Sequence, residues 1–278
     1  MHNWTQGDVD TGEMNIHYYR TGLGDYRTGH GVLPPLVLCH GFSDNGLCWT
    51  RVAKALQGNF DIIMMDARNH GKSGRGDANL QLMTDDLATL ITALDLHQPT
   101  VLGHSMGASM VADLAARYPS LVSRILLEDP PWTKHQGDVR EQDVELRRAG
   151  FRQYLASLLS MTDAEVVTFG KQQHPDWHDE DMPAWAASKK QVSERAMEGM
   201  TLGRWSETVA QIQCPAWLIY ADGEHDGIVK HEIARQVAAL NTGFTLRHIK
   251  NAGHNTRREQ FDSYMVAVGD GLSGVAKP

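Results

Sequence analysis

Cysteine is scarce: the 278-residue chain carries three, Cys39, Cys48 and Cys214. An odd trio cannot build a disulfide framework, and it argues against an oxidising compartment. Cys39 and Cys214 lie in or beside apolar runs, so buried, unreactive thiols are expected. An excess of basic residues is also missing. Lys plus Arg number 26 against 34 Asp plus Glu, a formal net charge of −8. A surface that grips phosphates normally carries the opposite excess, so nucleic acid is not an expected partner. No apolar run approaches the roughly 20 residues that a membrane span needs. Residues Met1 to Asp8 show no basic patch followed by an apolar core, so no signal peptide is expected there. A cytoplasmic protein without membrane contact is the expectation. Repeats and low-complexity segments are absent too. What is there is ordinary globular chemistry: 41% hydrophobic and 22% charged residues, in a chain long enough to bury a large core without staples.

The apolar residues fall into two patterns. Met14 to Tyr19 alternates apolar and polar residues, as a half-buried antiparallel strand does. A Gly-rich stretch from Thr21 to Gly31 reads as a hairpin-like connection. Leu36–Cys39, Ile62–Met65, Thr100–Leu102, Ile125–Leu127 and Ala216–Tyr220 are short runs without alternation, the mark of strands covered on both faces. Helical periodicity separates them at Trp49–Leu56, Leu80–Leu94 and Met106–Arg117. A weaker strand, Thr245–Ile249, precedes a helix from about Arg257 to Val268. This alternation predicts an α/β fold with a mostly parallel, doubly wound sheet. From Asp129 to Cys214 no strand is expected. That interval is helix-rich and holds Trp132, Trp177, Trp185 and Trp205, too apolar for a disordered linker. It reads as a helical cap (residues 130–213) inserted after the sixth strand of a core formed by residues 1–129 and 214–278. The cap should lie over the C-terminal edge of the sheet, where open α/β folds bind ligands.

Chemistry concentrates at three points. Gly103-His104-Ser105-Met106-Gly107 matches G-x-S-x-G between a strand ending at Leu102 and a helix continuing from Ala108. A serine on that tight turn is exposed as a nucleophile, and the helix N-terminus favours negative charge on a reacting oxygen. His40-Gly41-Phe42 follows the strand Leu36–Cys39, where a backbone N–H is placed to stabilise an oxyanion; Phe42 and Met106 are the expected donors. His40 itself is expected to be structural. Asn251-Ala252-Gly253-His254 follows the last strand, and the chain order Ser, acid, His makes His254 the expected base. For the acid, Asp222 at the tip of the strand Trp217–Tyr220 stands first. Asp226, four residues along the same loop, and Asp129, after the preceding strand, are the alternatives.

Other motifs fail. Gly71-Lys72-Ser73 has Asp66 where a P-loop needs its first glycine. Gly22-Leu23-Gly24 has Arg27 where the dinucleotide fingerprint needs its third. His174-Pro175-Asp176-Trp177-His178-Asp179 contains metal-ligand types but reads as a solvated, helix-initiating loop, so no metal is expected.

The ordered set His40-Gly41-Phe42, Asp66-Ala67-Arg68-Asn69-His70-Gly71-Lys72-Ser73, Gly103 to Gly107 and Gly253-His254 resembles the α/β-hydrolase superfamily over nearly the whole chain. Ala221 to Val229 and Gly253 to Arg258 are similar to an esterase-like subgroup with an A-D-P-E-x-G-x-I-V loop. That resemblance implies Asp222 as the acid, although Gly223 and Asp226 replace the subgroup's proline and glycine. It also implies a capped serine hydrolase cleaving a small carboxylic ester or lactone through an acyl-enzyme, without a cofactor. Trp132, Trp177 and Trp185 are the expected pocket residues. A C–C bond hydrolase of a diketone-like acid, and a ligand receptor that keeps the triad, are the competing readings.

Overall fold

The computed structural model describes residues 4–22, 33–134, 141–197 and 204–273. The Gly-rich connection Thr21 to Gly31 falls mostly outside them. Eight strands form one sheet: β1 (Thr5–Asp10), β2 (Asn15–Arg20), β3 (Pro35–Cys39), β4 (Asp61–Met65), β5 (Thr100–His104), β6 (Arg124–Glu128), β7 (Ala216–Ala221) and β8 (Phe244–Ile249). Their order is β1-β2-β4-β3-β5-β6-β7-β8. β2 is antiparallel to both β1 and β4, and the other pairs are parallel. The doubly wound, mostly parallel sheet is therefore as expected. β1 is an addition: only Val9 of its six residues is buried, which leaves too faint a pattern to read.

The unalternating strands have a simple cause. Val37, Ile63, Val101 and Ile125 face one apolar cluster, while Leu38, Ile62, Leu102 and Leu126 face another. Helices α2 (Leu80–Ala93) and α3 (Met106–Arg117) pack on the first face with α8 (His231–Leu240); α1 (Thr50–Leu56) and α10 (Phe261–Leu272) cover the second. With both faces buried, successive side chains all gain from being apolar. The single C-terminal helix expected from the sequence is split, because Gln260 (φ −134°, ψ 59°) separates α9 (Thr256–Glu259) from α10.

Between β6 and β7 the described residues hold helices and no strand: α4 (Glu141–Leu159), α5 (Asp163–Gln173), α6 (Met182–Gln191) and α7 (Trp205–Gln211). Thr162 and Glu165 close a capping box at the start of α5, which satisfies two backbone donors reciprocally. Leu158, Val166, Trp177, Met182, Trp185 and Ala186 make a small core of their own. Trp205 and Val209 of α7 instead join the sheet-side cluster. Polar contacts tie α6 to the loops beyond the sheet: Lys189 Nζ donates to the Ser43 carbonyl at 2.9 Å, and Asn45 Nδ2 to Gln191 Oε1 at 2.8 Å. No helix among the described residues is long and apolar enough to cross a membrane.

β4 leaves β3 towards one edge of the sheet and β5 towards the other. A crevice opens at such a switch point, outside the carboxyl ends of the strands. The loops after β3 and β5 border it, and these carry Phe42 and Ser105.

Candidate active site

Ser105 occupies the turn between β5 and α3 at φ 53°, ψ −116°. A non-glycine residue held there is strained, and it persists only where the surroundings over-determine it. The surroundings do so. Ser105 N donates to the Glu128 carbonyl at 2.9 Å, pinning the turn to β6. A Cβ on Gly103 would lie 2.4 Å from the Gly107 carbonyl oxygen, and one on Gly107 would lie 2.3 Å from that of Cys39. Both motif glycines are thus demanded by backbone contact. Gly41 is a third close approach, since a Cβ there would sit 3.2 Å from Ser105 Cβ and 2.5 Å from His104 Nδ1. The Gly41-Phe42 backbone therefore lies against the serine.

His254 stands beside Ser105, with Nε2 3.0 Å from the serine Oγ. Its Nδ1 is 2.7 Å from Asp129 Oδ2. The acid facing this imidazole is therefore Asp129, and the expectation of Asp222 is corrected. Asp129 follows β6, is fully buried, and accepts backbone N–H groups from Ile228 and Val229, each at 2.9 Å. Asp222 is engaged elsewhere: Oδ1 lies 2.7 Å from His248 Nε2, and Oδ2 accepts from Asn251 N at 2.7 Å. Burial is slight there, and the Asn251 N–H, with His248 behind it, holds the Asp222 carboxyl below its usual range. The sheet order explains the difference, because β6 is the neighbour of β5 whereas β7 is one strand further away. Asp226 is exposed at φ 66° in the same loop. The loop after β7 thus serves the site through the amides of Ile228 and Val229, not through a carboxylate of its own.

His40 is structural, as expected. Its Nε2 accepts from Ala67 N at 3.0 Å, so Nδ1 carries the proton and donates to the Gly41 carbonyl at 2.8 Å. Burial depresses its pKa, keeping it neutral in that role. His70, packed edge-on to His40 and Phe42, is driven by burial, then by His40, down to about 3. Burial likewise pushes the Cys48 and Cys214 thiols up to about 11, so neither is poised as a nucleophile.

A cavity of about 580 Å³ opens onto Ser105 and His254. Phe42, Tyr154, Trp177 and Trp185 supply apolar wall; Asp44, His174, Lys189 and Arg258 supply the polar part. Trp177 and Trp185 stand where the sequence puts them. Trp132 does not: it is buried off the cavity wall, stacked on Trp205 with ring centroids 5.7 Å apart. The ionic part was not anticipated. Asp44 receives Lys189 Nζ at 3.1 Å, Arg257 at 2.9 Å and Arg258 at 2.8 Å. Arg257 also reaches both oxygens of Glu128 at 3.3 Å. Burial alone would raise the Asp44 carboxyl, but Arg258, Lys189 and Arg257 hold it well below the usual range. The only signal in the sequence is the Arg257-Arg258 pair soon after His254.

Ser105, His254 and Asp129 thus lie in one hydrogen-bonded line at the carboxyl ends of a doubly wound sheet. Residues 34–256 match the family model described as the alpha/beta hydrolase fold, and the chain belongs to that family. Among curated proteins, the N-formylmaleamate deformylase of Pseudomonas putida is 25% identical over 280 residues, covering 96% of each chain. An uncharacterized protein of Mycobacterium tuberculosis is 31% identical over 114 residues; the match spans 32% of that protein's length. Among solved structures, E-2-(acetamidomethylene)succinate hydrolase superimposes with a TM-score of 0.77 at 17% identity, covering 98% of this chain and all of that one. The enol-lactonase of Burkholderia xenovorans LB400 gives 0.71 at 20% identity, covering 96% and 100%. Both share the fold.

Proposed function

We propose that the protein is a serine hydrolase that cleaves a carboxylic ester or lactone through Ser105, His254 and Asp129. One observation carries the reading: the unbroken chain from Ser105 Oγ to His254 Nε2 (3.0 Å) and from His254 Nδ1 to Asp129 Oδ2 (2.7 Å). Ser105 Oγ attacks the substrate carbonyl while His254 Nε2 takes its proton. Asp129 holds the proton of His254 on Nδ1 and stabilises the imidazolium. The Phe42 and Met106 N–H groups receive the oxyanion, favoured by the N-terminus of α3. The imidazolium then protonates the departing alkoxide, leaving an acyl-serine. Water, deprotonated by His254, attacks that ester and the acid is released. The inserted helices α4 to α6 act as a cap that shapes the acyl pocket. No cofactor enters this sequence.

A second reading shares the machinery. The full-length relationship to an N-formylmaleamate deformylase favours an acyl C–N bond as an alternative scissile bond at the same serine. A fluorophosphonate, with peptide mass spectrometry as the readout, tests the common core. Ser105 should carry the label, and Ser105→Ala should lose p-nitrophenyl ester turnover by up to about 10⁶-fold in kcat. Labelling elsewhere, with full activity in the alanine variant, would overturn the reading.

A further inference from the structure

The cation cluster at the cavity wall does more than bind the cap to the core. Arg257, Arg258 and Lys189 converge on one carboxylate, Asp44, and only Arg257 has a second, Glu128. All five side chains are at most 5% exposed. In direct contact, three buried cations thus share two carboxylates, with Asp181 as a more distant third and Arg51 beside it. Asp129 is committed to His254 and two backbone amides; Asp181 lies 3.6 Å from Arg51 and also feels the charges of Arg258 and Arg257, without a direct ion pair to either. An uncompensated buried charge is costly, and the cost falls when a fixed opposite charge arrives.

Arg258 is the member that faces the cavity with donors to spare. Its NH2 serves Asp44 and its NH1 serves Asn255 Oδ1 at 3.1 Å, while Nε is buried with no acceptor among the described residues. A guanidinium has five N–H donors in a rigid fork suited to a carboxylate. Trp177 stacks under it, the guanidinium carbon 4.6 Å from the ring centroid, which fixes the plane of the fork. Lys189, whose Nζ is held by Ser43 and Asp44, adds charge on the same wall. Asn255, which accepts from Arg258, is the residue next to His254. Arg258 and Lys189 line the same cavity as Ser105, and Arg258 keeps one N–H without an acceptor among the described residues.

We propose that Arg258, supported by Lys189, forms a carboxylate-binding subsite, and that the substrate is an anion whose acyl part carries a second carboxylate. The inference rests on the hydrolase reading and names its substrate class. Substrates that fit are monoesters of short dicarboxylic acids, or their lactone and acyl-amide counterparts. A charge-assisted, desolvated contact of this kind supplies about 10- to 100-fold in affinity.

The test compares near-isosteric acyl groups on the intact protein. p-Nitrophenyl hemisuccinate and hemiglutarate should exceed p-nitrophenyl butyrate in kcat/KM by about tenfold or more. In Arg258→Gln that preference should collapse to near unity, with the loss mainly in KM, and Arg258→Lys should recover part of it. Because Arg258 also braces Asp44, a measurement on the wild type stands beside the variants. Succinate should slow fluorophosphonate labelling of Ser105 competitively, and uncharged succinamide at the same concentration should not. Equal turnover of hemiester and butyrate, or equal protection by succinate and succinamide, overturns the subsite while Ser105 labelling leaves the hydrolase reading standing. Failure of Ser105 to label at all removes both.

Discussion

Replacing Asp129 by asparagine removes one charge and one acceptor without changing shape, and the neighbouring donors set the cost. The carboxylate meets three of them: Ile228 N and His254 Nδ1 at Oδ2, and Val229 N at Oδ1. An amide offers a single acceptor atom. With its oxygen at the Oδ2 position, the NH2 group faces the Val229 N–H, and His254 keeps its tautomer but loses the anion that stabilises the imidazolium. With its oxygen at the Oδ1 position, the NH2 group faces both Ile228 N–H and His254. The imidazole then accepts at Nδ1 and carries its proton on Nε2, so Ser105 has no base. Either way one buried donor goes unmet, at about 1–3 kcal/mol, which a domain with about 5–15 kcal/mol of stability tolerates. The catalytic cost is larger. Wrong-tautomer triads lose about 10⁴-fold in kcat, or roughly 5.5 kcal/mol at the transition state. Asp222→Asn supplies the contrast. Its oxygen can still accept from Asn251 N and its NH2 can donate to His248 Nε2, so kcat should stay within about threefold, the range of a surface change. Stopped-flow hydrolysis of p-nitrophenyl butyrate, paired with thermal unfolding of each variant, checks both. Near-normal turnover in Asp129→Asn together with collapse in Asp222→Asn would refute the assignment of the acid.

The packing of the tryptophans separates selectivity from stability. Trp185→Phe, on the cavity wall, should shift the optimum towards longer acyl chains across p-nitrophenyl esters from acetyl to octanoyl. Trp132→Ala, which unstacks Trp205 away from the cavity, should leave that profile unchanged while costing about 3–5 kcal/mol in urea unfolding. Stability should also fall with acid. His70 is neutral in the folded protein down to about 3 but titrates near 6.5 when unfolded. Its contribution is complete above about 6.5 and is lost as the pH falls towards 3, at about 1.4 kcal/mol per pH unit. His40 and His104 are depressed by burial in the same direction. Urea titrations across this range should show the slope, and His70→Gln should reduce it by about one proton; an unchanged slope would assign the acid sensitivity to other groups.

Local chemistry is what the sequence carries on its own. Apolar runs without alternation demand cover on both faces, so the parallel sheet was legible. The strand–G-x-S-x-G–helix junction identified Ser105, because only glycine fits at Gly103 and Gly107 with backbone oxygens 2.4 Å and 2.3 Å from a Cβ. His254, whose Nε2 lies 3.0 Å from Ser105 Oγ, was singled out by its place after the last strand. The choice among Asp222, Asp226 and Asp129 was not: all three lie in loops beyond strand ends, and the local preference for Asp222 at its strand tip pointed away from the carboxylate that meets His254. Sheet order ranks them: β6 pairs with β5, which brings Asp129 under the imidazole, while Asp222 turns to His248 on the neighbouring β8. The cavity wall is a matter of tertiary structure for the same reason. Trp132 and Trp185 are alike as residues, yet one fills the sheet-side core and the other lines the cavity at the serine. Asp44, Lys189 and Arg258 come from three distant stretches of chain, and their shared charge exists only once the helices between β6 and β7 fold back over the loop after β3.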